Sequence, residues 1–213
     1  MTRNIRPPGS RGNGTGLPVL GSAPGLRADA VRNKGLLLDA ASALMDSCGA
    51  ERLTMEAVAA AAGVGKGTVF RRFGSRAGLF AALLDHRESR LQAAFLSGPP
   101  PLGPDAPPRE RLLAFGPALI AHDRSFYDVV RATRDDPERA YAIPATRLRG
   151  THLAMLLREA GSTGDTLLQA HTLLASVDAV LVHHLLTERG VSRERIEAGW
   201  RDLVARLLET GDA

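Results

Sequence analysis

Residues 53–73, LTMEAVAAAAGVGKGTVFRRF, predict two short helices joined by a tight turn. Thr54 is a suitable N-cap, because its hydroxyl can accept a hydrogen bond from a free amide of the first turn. The alanine-rich run after it favours a helix and has little bulk, so a second helix can pack closely against it. Gly63 is predicted to end this helix with a positive φ, and Val64 to fill the space between the two helices.

The second helix is predicted from about Lys66 to Phe73, with Val69 and Phe73 four residues apart on its inward face. Its remaining side chains then lie on the outer face or its edges, and most of them are cationic or small. A short helix of this kind, braced by another helix behind it, is the form of a helix-turn-helix recognition element.

The same stretch, with its flanks, resembles the DNA-binding domain of the TetR family of bacterial transcriptional regulators. The resemblance covers roughly residues 27–87 and depends on an ordered set of positions: Thr54, Val58, Ala59, Ala62, Gly63, Val64, Gly67, Thr68, Phe70, Phe73, Arg76 and Leu79. It implies an all-α fold, with an N-terminal three-helix helix-turn-helix domain and a C-terminal helical domain for ligand binding and dimerisation. The corresponding ranges are residues 26–75 and 76–213.

Three positions depart from the usual pattern of that family. Gly65 stands where the family commonly has Ser, Phe70 where it has Tyr, and Arg72 where it has His. The first two changes remove hydroxyls that usually hold phosphate, and the third adds a cation. We therefore expect DNA binding to be retained, with the phosphate contacts moved partly onto arginine.

The candidate DNA contacts differ in what they can recognise. Arg71 and Arg72 could reach guanine edges or phosphates, and Thr68 a thymine methyl or a phosphate. Lys66 and Arg76 fit phosphate contacts, which position a protein without specifying sequence. The alternative is that these arginines are simply solvated. The full candidate set is Arg27, Thr54, Gly65, Lys66, Gly67, Thr68, Phe70, Arg71, Arg72 and Arg76.

Residues 1–25 contain six glycines, four prolines, three arginines and no acidic residue. This composition predicts a disordered basic tail. Such a tail could act as an arm that enters the minor groove of DNA. The alternatives are a passive extension and a wrongly assigned start.

The composition fits a nucleic-acid partner without requiring one. Of 27 cationic residues only Lys34 and Lys66 are lysines, and arginine is the cation that forms forked bonds with phosphate and guanine. A GC-rich genome would produce the same skew. Cys48 is the single cysteine, which excludes an internal disulfide and fits a reducing cytoplasm. No apolar run approaches the ~20 residues of a membrane-spanning helix, so we expect a cytoplasmic protein without a membrane partner.

The C-terminal half is predicted to be helical after a proline-rich connector at residues 98–108. One long apolar helix is expected from Thr166 to Glu188, and a last helix after Ser192. These two helices carry more apolar surface than a small domain needs, and the resemblance implies a four-helix interface between two copies of the chain. The alternative is an intramolecular core. The candidate interface residues are Leu174, Val177, Leu181, Ile196, Trp200, Leu203 and Leu207.

No catalytic constellation is visible, so no enzyme activity, cofactor or metal site is predicted. His183 and His184 are adjacent, and on a helix they would point about 100° apart, too divergent to share a metal easily. An effector cavity in the C-terminal half is a better interpretation, since such cavities are mostly apolar with a few polar groups. Each histidine could equally be a surface or core residue. The candidate lining is Phe115, Leu119, His122, Phe126, His152, Met155 and His171.

Together these features indicate a homodimeric transcriptional regulator that binds a near-palindromic operator in double-stranded DNA. The resemblance implies a repressor that a small-molecule effector releases. Two alternatives stay open. One is a helix-turn-helix regulator without a small-molecule effector, controlled by a protein partner or acting constitutively. The other is an all-helical binding protein or enzyme that has lost DNA binding.

Overall fold

The structure, a computed structural model, describes residues 24–124, 127 and 144–209, with side chains from residue 32 onward. Its regular elements are all helical, as predicted. Predictions for residues 1–23, for the Arg27 side chain and for Phe126 lie outside the described residues. The helices are α1 (Pro24–Cys48), α2 (Met55–Ala61), α3 (Lys66–Phe73), α4 (Arg76–Ser97), α5 (Pro108–Arg124), α6 (Pro144–Glu159), α7 (Thr166–Ser176), α8 (Ala179–Thr187) and α9 (Arg193–Leu208).

The helix boundaries in the N-terminal unit follow from its capping residues. The Thr54 hydroxyl accepts from the Ala57 amide at 3.1 Å, and the Ser75 hydroxyl accepts from the Gly78 amide at 3.1 Å. Gly63 has a φ of 65°, a conformation that L side chains rarely adopt. The predictions for Thr54 and Gly63 are therefore confirmed.

Helices α1 to α3 and the first half of α4 enclose one apolar core. Burial of these side chains fixes the orientation of α3 against α2 and α4. The buried residues are Leu37, Leu38, Ala41, Met45, Leu53, Met55, Val58, Ala59, Val69, Phe73, Leu79 and Leu83. The predicted domain limit at residue 75 divides this core, because Leu79 and Leu83 of α4 belong to it.

The second half of α4 and helices α5 to α9 enclose a separate core. Its largest fully buried side chains include Phe95 from α4, Phe115 from α5, Leu153 from α6 and Trp200 from α9. Since Leu91 and Phe95 of α4 lie in this core while Leu79 and Leu83 lie in the other, α4 is shared by both. A movement of α4 therefore moves the packing of both units.

The predicted long helix from Thr166 to Glu188 is divided in two. Val177 leaves the helical conformation with φ −119° and ψ 25°, and the Asp178 carboxylate caps α8 by accepting from the amides of Val180 and Leu181. Residues 166–187 are long and apolar enough to suggest a membrane span by composition alone. Each of the two observed helices, however, is shorter than the ~20 residues needed to cross a bilayer.

Three of the predicted dimer contacts are buried within the chain instead. Trp200 is 1% exposed, and its indole NH donates to the Leu112 carbonyl at 2.8 Å. Ile196 and Val177 are 8% and 2% exposed. These three residues therefore belong to the intramolecular core. Leu181 and Leu203, at 40% and 36% exposed, remain on the surface, while Leu174 and Leu207 are partly buried against the core.

Candidate nucleic-acid interface

Helix α3 has one buried side and one exposed side. Val69 is fully buried and Phe73 is 9% exposed, so these two residues anchor the helix on α2 and α4 as predicted. The opposite side is exposed to solvent and carries three cations and no acidic residue. Its exposed residues are Lys66, Gly67, Thr68, Phe70, Arg71 and Arg72.

The N-terminus of α3 presents backbone amides rather than a capping side chain. Gly65 occupies the N-cap in an extended conformation and forms no side-chain cap hydrogen bond. Free amides at a helix start favour an anion, since they combine hydrogen-bond donors with the positive end of the helix dipole. A side-chain atom added at Gly65 or Gly67 would meet nothing within 4 Å. A phosphate can therefore approach the backbone closely at this end.

Lys66 already has an anionic partner. Its ammonium forms an exposed ion pair with Glu56 of α2 and lies 5.5 Å from the centre of the Phe70 ring. The hydrogen bond from Lys66 is the main reason that the pKa of Glu56 lies below its usual value. A DNA phosphate must compete with this carboxylate for Lys66. Glu56 was not a candidate site residue, although its place two positions after the Thr54 cap puts it on the first turn of α2.

Arg71 and Arg72 are both exposed at the C-terminal end of α3. The Arg71 guanidinium folds back along its own helix, where its donors lie 3.3 Å from the Gly67 carbonyl and 3.5 Å from the Thr68 hydroxyl. These are long, solvent-exposed contacts, so exchanging them for a base or phosphate costs little. Both arginines stay candidates for DNA contacts.

Arg76 has a structural role that the sequence did not indicate. Its Nε donates to the Leu53 carbonyl at 2.9 Å and its Nη2 to the Ala50 carbonyl at 2.6 Å. The guanidinium also lies 4.9 Å from the centre of the Phe80 ring. Arg76 thus fastens the turn before α2 to the start of α4. A phosphate contact by Arg76 stays a prediction. Because its Nε and Nη2 already donate to carbonyls, fewer of its N–H groups are left to bind a phosphate.

The turn between α2 and α3 differs from expectation at Val64. This side chain is 37% exposed rather than enclosed between the helices, while its amide donates to the Ala59 carbonyl at 3.0 Å. Glycines on both sides supply no bulk to cover it. Thr54 is exposed too, but its hydroxyl already serves as the α2 cap.

Of the predicted effector-cavity residues, three lie in a tightly packed cluster. Phe115, Leu119 and His152 are 1%, 3% and 5% exposed, and the His152 ring lies 4.5 Å from that of Phe95. Burial, and then the neighbouring Arg111 charge, lower the pKa of His152 to about 4. His152 is therefore neutral at neutral pH, and its Nε2 accepts a hydrogen bond from Nη2 of Arg111 at 3.4 Å.

The other predicted cavity residues are dispersed. Met155 is partly buried against the C-terminal core, and His171 is exposed on α7. His122 lies in an ionic cluster, where its Nδ1 is 2.7 Å from Asp123 and its Nε2 is 3.7 Å from Glu88 of α4. The cluster also contains an ion pair between Glu88 and Arg149 of α6. His122 therefore links α4 to the C-terminal unit.

Arg111 was also missed by the sequence analysis. It is 7% exposed and donates to the carbonyls of Phe95 and Leu102 at 3.0 and 3.1 Å. These bonds satisfy carbonyls at the C-terminal end of α4 and in the connector, where a cation is favoured by the helix dipole. The only sequence signal was an arginine on the buried side of a helix otherwise lined by leucine and phenylalanine.

Comparison with known proteins agrees with this geometry. The model of the family described as bacterial regulatory proteins, tetR family, matches residues 37–83, which coincide with the N-terminal core. None of the curated proteins matches the chain.

Two solved structures from Rhodococcus share the fold. A transcriptional regulator from Rhodococcus sp. Rha1 is 23% identical, with 84% of this chain and 95% of that chain covered at a TM-score of 0.56. A TetR-like transcriptional regulator from Rhodococcus sp. RHA1 is 21% identical, with 82% and 94% covered at a TM-score of 0.52. With the family match over the helix-turn-helix, they lead to one conclusion: residues 37–83 carry the N-terminal domain of the TetR family of bacterial regulatory proteins, and the chain shares the fold of these solved structures.

Proposed function

We propose that this TetR-family regulator is a cytoplasmic homodimer that represses transcription from a near-palindromic operator. A small-molecule effector releases it from DNA. The observation that carries the proposal is the exposed side of α3, which presents Lys66, Arg71 and Arg72 while Val69 and Phe73 hold the helix against the N-terminal core. A rigidly held helix with this face suits insertion into the major groove.

The dimer is supported by apolar side chains that one chain leaves exposed on its C-terminal helices. Exposed large apolar side chains on neighbouring helices are a common feature of protein–protein interfaces. Two copies would place two α3 helices at half-sites about 34–36 Å apart, or at a variant of that spacing. The exposed apolar residues are Leu167, Leu168, Val180, Leu181 and Leu203.

Release by an effector is supported by the position of α4. This helix belongs to both cores, and ion pairs tie it to α1 on one side and to α6 on the other. A ligand that binds one arrangement of α4 more tightly than another would shift the population towards that arrangement. The spacing of the two α3 helices would then change with it.

Selection of bound duplexes from a random DNA pool tests the proposal. The expected result is a recovered sequence with two inverted half-sites, bound by two copies of the chain. Enrichment of a single, non-repeated site would contradict the dimeric operator complex. Lack of enrichment at low salt would contradict DNA reading by α3 in the ligand-free protein.

A further inference from the structure

A groove lies between the two helical units, where α1, α4 and α5 approach one another. It encloses about 550 Å³ and opens to solvent, within the range of roughly 300–1,000 Å³ that is typical of small-molecule sites. Of the predicted effector residues that the structure describes, His122 alone lines it. The lining residues are Ser42 and Asp46 from α1, Arg87, Arg90, Leu91 and Ala94 from α4, and Ala118, Ala121 and His122 from α5.

The groove follows from the sequence pattern of these helices. The α4 lining residues recur at helical spacing on one side of α4, and the α5 lining residues do so on α5. Three positions that line the groove carry small side chains, and larger side chains there would fill the space. These positions are Ala94, Ala118 and Ala121. The groove therefore combines an apolar floor with a charged rim formed by Arg87, Arg90 and Asp46.

The rim arginines hold the two carboxylates that tie α1 to α4. Arg87 donates to Asp46 at 2.8 Å, and Arg90 donates to Asp39 at 2.6 Å. The Arg90 and Asp39 side chains are 66% and 47% exposed, so this ion pair is weak in water. Asp39 also keeps a second contact, to His86 at 3.0 Å, when Arg90 is withdrawn. A carboxylate from a ligand can therefore replace Asp39 on Arg90 at little cost.

The charge of the lining favours an anion over a cation. The lining contains two arginines and one aspartate, and Arg90 is the accessible cation, with its side chain 66% exposed against 13% for Arg87. The buried Nε2 of His122 has no hydrogen-bond partner among the described residues, although Glu88 lies 3.7 Å away. It offers a further polar contact at the α5 side of the groove.

We propose that this groove binds a small organic monocarboxylate with an apolar body. The carboxylate contacts Arg90 and competes with the α1 carboxylates, and the apolar body lies on Leu91, Ala94 and Ala121. Binding exchanges one contact between α1 and α4, the Arg90–Asp39 ion pair, for a contact with the ligand. This assignment rests on the proposed function, because it names the chemical class of its effector and places it between the units rather than inside the C-terminal core.

Calorimetric titration of the full-length protein with three matched probes tests the ligand class. Octanoate, 1-octanol and octylammonium share one apolar chain and differ in charge. Octanoate is expected to bind most tightly, followed by 1-octanol and then octylammonium. Equal binding of octanoate and 1-octanol, or tighter binding of octylammonium, would overturn the assignment of an anionic ligand.

Two variants test the place of binding. Arg90→Gln should weaken the binding of octanoate by roughly tenfold, the loss expected for one charge-assisted hydrogen bond. The affinity for 1-octanol should be unchanged. Disturbed folding would weaken both probes. Arg158→Gln, which removes an exposed arginine on α6, is the matched control and should change neither. An unchanged octanoate affinity in Arg90→Gln would contradict the contact.

Ala94→Leu and Ala121→Leu add bulk to the groove from two different helices, α4 and α5. Each variant should therefore weaken the binding of both octanoate and 1-octanol. If both variants fold and bind octanoate like the wild type, the ligand lies elsewhere and the groove assignment fails. DNA binding is measured separately with the selected duplex. Failure of the wild type to bind octanoate, with its DNA binding intact, would therefore reject the groove assignment and leave the regulatory function standing.

Discussion

Glu56 forms an ion pair with Lys66, which is a candidate DNA contact on α3. The Glu56 carboxylate would therefore compete with a DNA phosphate for Lys66. Glu56→Gln should therefore tighten DNA binding by roughly two- to fivefold, since it frees Lys66 and removes a repelling charge. The dependence of affinity on salt should steepen by up to about one counterion. Fluorescence anisotropy over a salt series measures both quantities. Glu194→Gln, an exposed carboxylate in the first turn of α9, serves as the control. Unchanged affinity in Glu56→Gln would show that Lys66 does not contact DNA.

Alanine variants of Arg76 and Arg72 should differ in their effects: the first should lower the stability of the fold, and the second should weaken the binding of specific DNA. Arg76→Ala removes two hydrogen bonds from a charged donor, so the free energy of unfolding should fall by about 1–3 kcal/mol. Arg72→Ala should lower the free energy of unfolding less than Arg76→Ala does, and weaken specific binding by about 1–3 kcal/mol if Arg72 contacts guanine. Thermal unfolding and DNA anisotropy on both variants give the comparison. Arg76→Ala with an unchanged melting temperature and a reduced salt slope would instead identify a phosphate contact.

His152 should make stability depend on pH. Its pKa is lowered to about 4 in the folded protein, against about 6.5 for an exposed histidine, so the unfolded chain binds the proton more readily. The stabilisation is fully present above about pH 6.5 and is lost as the pH falls towards 4, by at most ~3 kcal/mol. Chemical denaturation of wild type and His152→Gln at a fixed protein concentration measures it. The two stabilities should converge as the pH falls, and parallel pH profiles would contradict this account.

At the scale of the elements, local chemistry made the N-terminal unit predictable. Thr54 and Gly63 each act through the nearest turn, so the sequence alone placed the limits of α2, and it also predicted α3 from about Lys66 to Phe73. The break at Val177 was missed because apolar residues continue on both sides, and the Asp178 cap does not interrupt their periodicity. Asp178 followed by an apolar run was nevertheless a readable N-cap signal.

Tertiary packing decided the elements that the sequence could not place. Trp200 fits an interface as well as a core by composition, and only the α5 helix behind it, with the Leu112 carbonyl as hydrogen-bond acceptor, makes it internal. Arg76 likewise looked like a phosphate contact, because its partners Ala50 and Leu53 are distant in sequence. The exposed face of α3 was predictable from the sequence. The ion pair between Lys66 and Glu56 was not, because it depends on the angle between α2 and α3.

At the scale of the whole molecule, the exposed apolar side chains of α7, α8 and α9 should mediate dimerisation. Leu181→Asp should convert the dimer into a folded monomer, because it places a charge in the shared interface. Leu36→Asp is the control, since Leu36 is 60% exposed on α1 in the N-terminal unit. Size-exclusion chromatography with light scattering gives the mass. A dimer that persists in Leu181→Asp would move the interface to another surface.

The central claim is that two copies of α3 read the two halves of one operator. The most direct measurement compares the duplexes selected from a random pool by the wild type and by Arg71→Ala. The account predicts inverted half-sites for the wild type and, for the variant, a weakened base preference at the same position in both halves. Identical base preferences for the two proteins, or a change in one half only, would contradict symmetric reading through Arg71.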